Sequence, residues 1–202
     1  MQTEVRWAFF VSFNGNSACR AIQAFDRGAC PGSSIALMVY EQEESEAVML
    51  AREAGIPCVC IARKNYSSDE EHQFKILETL IAHQIDFVFL LGFDKIIGGQ
   101  LLQEYHNRIA NIHASLLPSF KGRRPIERAI EYGVKVSGIT THLIDGQIDR
   151  GIIIFQEAIP LKTGDTLATV APIFLEVGER IIIQTVNCLS SGQSSFAGPK
   201  PY

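Results

Sequence analysis

Val5-Arg6-Trp7-Ala8-Phe9-Phe10-Val11-Ser12, running into Phe13-Asn14-Gly15-Asn16-Ser17, is the stretch that decides the fold. Its first part is aromatic and apolar without polar alternation, which predicts a strand buried on both faces. The Gly-containing turn then opens a helix through Ile22 and Phe25, with Asn16 or Ser17 as the expected N-cap. Arg27-Gly28 and Pro31-Gly32 end it.

The same unit repeats along the chain. Strands are predicted over Ile35–Tyr40, Cys58–Ala62, Asp86–Phe93 and Arg108–His113, separated by helices at Ser45–Ala54, Ser68–Ala82 and Leu101–Tyr105. Short connections and regular alternation predict an α/β fold, a mostly parallel twisted sheet flanked by helices. Beyond it, a helix at Pro125–Tyr132 precedes strands at Val136–Asp145 and Gly151–Ile159, which are too close in sequence for a crossover and should pair antiparallel. A last helix spans Asp165–Val186, with Pro172 expected to kink it or delay its start. The expected division is one domain over residues 1–189 and a flexible tail over 190–202, rich in Ser and Gly.

Composition narrows the function. The chain has 202 residues, 47% hydrophobic and 20% charged, with a formal net charge of -4. That length supports one sizeable core. The acidic balance argues against nucleic acid or an anionic membrane as the main partner. The apolar run Trp7 to Phe13 is far shorter than the roughly 20 residues of a spanning helix, and no cleavage site follows it, so no membrane or targeting segment is expected. The five cysteines are irregularly spaced, and Cys58-Val59-Cys60 reads as two alternate strand residues on one buried face. Reduced thiols fit a cytoplasmic protein. The histidines lack metal-ligand spacing, so no metal is expected.

In parallel sheets, ligands bind beyond the carboxyl ends of the strands. Asn14, Phe93 and His113 lie at three such ends and should share one cleft. Asn111 and His113 are two residues apart on a strand, so they point to one face. Asp145 and Asp149 lie in a Gly-containing loop. Either could form the turn, or sit against His113, raise its pKa and keep it charged. A charged imidazole beside an amide donor would stabilise an oxyanion. The Asn14–Ser17 turn could seat an anion. Lys121, Arg123 and Arg124 form a basic loop that meets either solvent or an anionic ligand group.

Asn111-Ile112-His113-Ala114-Ser115-Leu116-Leu117-Pro118, then Lys121-Gly122, then His142 with Asp149-Arg150-Gly151, resemble the folate-dependent formyltransferase family over nearly the whole chain. The resemblance implies a catalytic trio of Asn111, His113 and Asp149. It implies a folate pocket at Phe93, Asp94, Lys95, Ile96 and Ile97, with Leu143, Ile144 and Asp145 across from them, and a seat for a substrate phosphate at Gly15, Asn16 and Ser17. The implied reaction moves a formyl group from 10-formyltetrahydrofolate to a primary amine, that of phosphoribosylglycinamide in purine synthesis. Alternative acceptors are an amino sugar nucleotide or a specialised metabolite. A formyltetrahydrofolate hydrolase and a non-catalytic folate binder rank lower. A small phosphorylated amine is the expected partner, with a homodimer as candidate assembly. The chain departs from the family at Ala114, where Pro is usual, at Asp94-Lys95, where Met-Arg is common, and at Arg123-Arg124. The last helix also lacks a clear Glu-His pair, with Glu176 and Glu179 as loose matches.

Overall fold

The computed structural model describes residues 4–12, 14–41, 45–95 and 97–192. The strands are β1 (Val5–Val11), β2 (Ser33–Tyr40), β3 (Cys58–Cys60), β4 (Phe87–Leu90), β5 (Ile109–His113), β6 (Val136–Leu143) and β7 (Ile153–Pro160). The helices are α1 (Asn16–Asp26), α2 (Glu46–Glu53), α3 (Asp69–Ala82), α4 (Gly99–Glu104), α5 (Pro125–Tyr132) and α6 (Leu167–Ser190). The seven strands form one sheet in the order β3-β2-β1-β4-β5-β6-β7. The first five run parallel, and β6 and β7 are antiparallel.

Side-chain alternation in β1 explains why its sequence is apolar throughout. Trp7, Phe9 and Val11 enter the core under α1, α2 and α6. Ala8 and Phe10 enter the opposite core, under α3 and α4. Burying each large side chain of this kind stabilises the fold by roughly 1.5–3 kcal/mol. The Trp7 indole N–H also donates to Ser190 Oγ at 3.0 Å, tying the first strand to the last helix.

Three local expectations are corrected. Cys58 and Cys60 do not share a buried face: β3 is a three-residue edge strand, so Cys58 is half-buried and Cys60 exposed. The N-cap of α1 is Gly15, at φ 71°, and Asn16 and Ser17 already belong to the helix. A Cβ on Gly15 would lie 2.5 Å from the Ala47 Cβ, so only glycine fits this turn. The last helix does not wait for Pro172: a reciprocal box between Thr166 and Thr169 caps its first turn upstream, satisfying the donors that a free helix end leaves open. Of the expected tail, Ser190 closes α6, and residues 193–202 lie outside the described residues.

Gly138 on β6 is a packing requirement. A Cβ there would meet Glu157 O at 2.2 Å and Leu116 Cδ2 at 2.7 Å. Gly138→Val should therefore cost about 3 kcal/mol in urea unfolding, by overpacking against backbone. A loss under ~1 kcal/mol would contradict this packing.

Candidate active site

The site grows from the pairing of β5 with β6. Asn111 lies directly opposite His142, and His113 opposite Thr140. Direct antiparallel partners project to the same face, so residues far apart in sequence become neighbours. Asn111 Nδ2 is 3.0 Å from His142 Nε2, and His142 is fully buried. His142 Nδ1 donates to the Leu143 carbonyl at 3.0 Å. Its Nε2 is also 3.5 Å from Asp149 Oδ1. Unprotonated, Nε2 accepts from the Asn111 amide; protonated, it donates to Asp149.

Asp149 is the carboxylate that reaches His113, with Oδ2 3.5 Å from Nδ1. The same oxygen accepts the Gly122 N–H at 2.7 Å. Burial alone would raise the Asp149 pKa, but His142, the Gly122 N–H and His113 outweigh it and hold the carboxyl below its usual range. Asp149 sits at φ 51°, a left-handed conformation that Asp tolerates better than most residues. Gly151 makes this loop path feasible, since a Cβ there would fall 1.6 Å from Leu143 O. Asp145 instead accepts the Gln147 N–H at 2.9 Å and shapes the turn.

His113 is buried, and its Nε2 donates to Phe120 O at 3.0 Å. Burial pushes its pKa down, and the opposing pull of Asp149 and Phe120 does not restore it. The expectation of a His113 held charged by Asp149 is therefore corrected. The ring favours its neutral form because desolvation penalises the cation more than one carboxylate compensates. Loop residues Phe120 and Gly122 thus fasten onto both His113 and Asp149.

Around this cluster lies a cavity of about 370 Å³, bordered by Phe93, Asp94, Lys95, Ile97 and Ile144. Leu143 points into the core instead, because it pairs with Ala110 on the other face of the sheet. Ile96 lies outside the described residues. Asp94 accepts from Lys95 at 2.9 Å, and Lys95 also bridges to buried Glu41 at 3.1 Å. The Asp94 backbone N–H reaches Ser12 Oγ at 3.0 Å. Burial opposes ionisation of Asp94, but Lys95 and Ser12 outweigh it and lower its pKa. From the basic loop, Arg123 comes within 3.4 Å of Asp94 across the cavity mouth. Arg124 turns away to Glu127 and Glu131.

A second cavity, about 570 Å³, lies on the other side of the sheet edge and is bordered by Asn14, Gly15, Asn16 and Ser17. The two cavities share Gly92 and Ile112. Together they form one cleft straddling the carboxyl ends of β1, β4 and β5.

The family model described as formyl transferase matches residues 5–186. The chain belongs to the formyl transferase family. It is 36% identical over 165 residues to the phosphoribosylglycinamide formyltransferase of Bacillus subtilis, covering 82% of this chain and 84% of the relative. It is 34% identical over 189 residues to the human trifunctional purine biosynthetic protein adenosine-3, where the match covers 94% of this chain but 19% of the relative. The corresponding share of the chicken protein is 16%, so the chain spans less than a fifth of these trifunctional relatives. A crystal structure of the Bacillus halodurans phosphoribosylglycinamide formyltransferase superposes with a TM-score of 0.88 at 36% identity, covering 94% of this chain and 97% of that one.

The sequence does not show the contacts of Ser12, Glu41, Gly122 and His142; Gly122 and His142 fall within the resembling motif, but what they touch is set by tertiary structure. Both shifted groups of the cluster favour the deprotonated form when folded. A His113 with a depressed folded pKa stabilises the fold above the ordinary imidazole value of about 6.5, and that contribution is lost as pH falls toward the folded pKa. Asp149 contributes above its ordinary value near 3.9 and loses that contribution only in stronger acid. Unfolding free energy should therefore drop as pH falls through and below the ordinary imidazole value of about 6.5, and His113→Gln should flatten that segment. An identical pH profile in the variant would refute the assignment.

Proposed function

We propose that this chain transfers the formyl group of 10-formyltetrahydrofolate to a primary amine, with phosphoribosylglycinamide, named in its relatives, as the leading acceptor. One observation carries the reading. Asn111, His113 and Asp149 border the first lobe, beside Ile112, which both lobes share, in a chain matched by the family over residues 5–186. The first lobe suits a flat donor, with Phe93, Ile97 and Ile144 around the ring system and charged Lys95 and Arg123 near its mouth. The second lobe suits the acceptor, with its anionic end at the start of α1, where unpaired backbone N–H groups favour negative charge.

The amine nitrogen attacks the formyl carbon, and the carbonyl electron pair moves to oxygen. The Asn111 amide N–H meets that oxyanion. Neutral His113 takes the proton shed by the amine, and its new positive charge then stands beside Asp149. Collapse restores the carbonyl, breaks the bond to the folate N10, and returns the proton to that nitrogen. His142 holds the Asn111 amide in place throughout. Five free cysteines accord with a reducing, cytoplasmic setting.

A second reading, transfer to a different amine, is favoured by the largely apolar lining of the acceptor lobe. The test is an assay with 10-formyltetrahydrofolate and phosphoribosylglycinamide, reading the N-formyl product by mass spectrometry. Wild type should turn over, and His113→Ala and Asn111→Ala should each lower kcat by about a hundred-fold or more without losing the folded circular dichroism spectrum. Undiminished turnover in either variant would sink this mechanism.

A further inference from the structure

The two lobes share an apolar lining but differ in charge. The donor lobe carries Asp94, Lys95, Arg123 and Asp149. Among the described residues, the acceptor lobe carries no charged side chain at all. Its polar groups sit at one end, on Asn14, Asn16 and Ser17. The rest of its lining includes Ala114, Ile126, Ile139, Phe174 and Leu175.

The carboxylates nearest on α6 are committed elsewhere. Glu176 pairs with Arg180 at 2.8 Å, and its side chain is 75% exposed. Glu179 pairs with Arg20 and Arg27. Neither borders the lobe. Gly178 also borders the lobe, and a Cβ there would make only ordinary contacts, 3.5 Å from Ile139 and 3.8 Å from Ile112.

We infer that this lobe accepts primary amines with an apolar body and a polar or anionic end, and that Phe174 and Leu175 set this preference. The inference rests on the formyl-transfer reading and extends it to a further class of acceptor. Its physical basis is an asymmetry of recognition. A site that hydrogen-bonds a substrate hydroxyl rejects an analogue lacking it by about 10⁴-fold or more, whereas an apolar wall does not impose that penalty. A ribose in this lobe would leave its hydroxyls facing Ile126, Ile139, Phe174 and Leu175, and a hydroxyl desolvated without a partner is penalised. An aromatic or aliphatic body fills the same space without that cost. The chemistry balances as before: a C–N bond forms to the amine, the C–N10 bond of the folate breaks, and the amine proton passes to N10.

The test uses a matched pair of acceptors with 10-formyltetrahydrofolate. One is phosphoribosylglycinamide. The other is 4-(glycylamino)phenyl phosphate, which keeps the glycinamide head and the phosphate and replaces the ribose with a benzene ring. The phenyl compound should be formylated with a kcat/KM within about tenfold of phosphoribosylglycinamide, or above it. A phenyl compound more than tenfold poorer overturns the inference and leaves formyl transfer intact. Formylation of neither compound overturns both. Leu175→Gln should shift the ratio at least tenfold toward phosphoribosylglycinamide, and an unchanged ratio would remove Leu175 from the selecting residues.

Discussion

The Asp149 carboxylate is the junction on which the rest of the site depends. One side chain ties together three segments: the Gly122 N–H of the loop after β5, the His113 ring at the end of β5, and the His142 ring on β6. A buried carboxylate is costly unless several donors surround it. The Gly122 N–H, 27 residues earlier in the chain, donates to it directly, and the His113 and His142 rings, 36 and 7 residues earlier, lie 3.5 Å away. The loop reaches this position with Asp149 in a left-handed conformation and with Gly151 beside Leu143.

The same junction links folding to chemistry. Burial lowers the pKa of His113 while the surroundings lower that of Asp149. The result is a neutral imidazole beside an ionised carboxylate, and in the proposed mechanism that imidazole takes the proton shed by the amine. The loop that carries Phe120 and Gly122 also carries Arg123, which meets Asp94 across the donor cavity. Contacts to the reacting groups and to the cavity mouth are thus made by one short segment.

The sheet divides the two halves of the cleft by simple parity. Leu90, Asn111 and His113 face the donor side, and Leu91, Ala114 and Ile139 border the acceptor side. Gly92 and Ile112, at the edge, belong to both. Substrates bound on opposite sides would meet over β4 and β5. Apolar side chains line both cavities, and among the described residues the charged ones border only the first.

Much of this was written in the sequence by itself. The apolar run at Val5–Val11, the alternation of strands and helices, and the shift to an antiparallel pair near the end follow from side-chain periodicity, which is a local property. So does the placement of Asn111 and His113 on one face, because a strand repeats every two residues. The motif from Asn111 to Pro118 carried the family. What only tertiary structure decided depends on distance and burial. The ionisation preference of His113 turned on how much water is excluded around it. The positions of Ser12, Glu41 and His142 followed from strand pairing. Cys60 is exposed because β3 lies at an edge, and the second cavity gains apolar walls because Phe174 of the last helix packs with Ile112 and Ile139. Each of these arises between segments that the chain alone leaves unrelated.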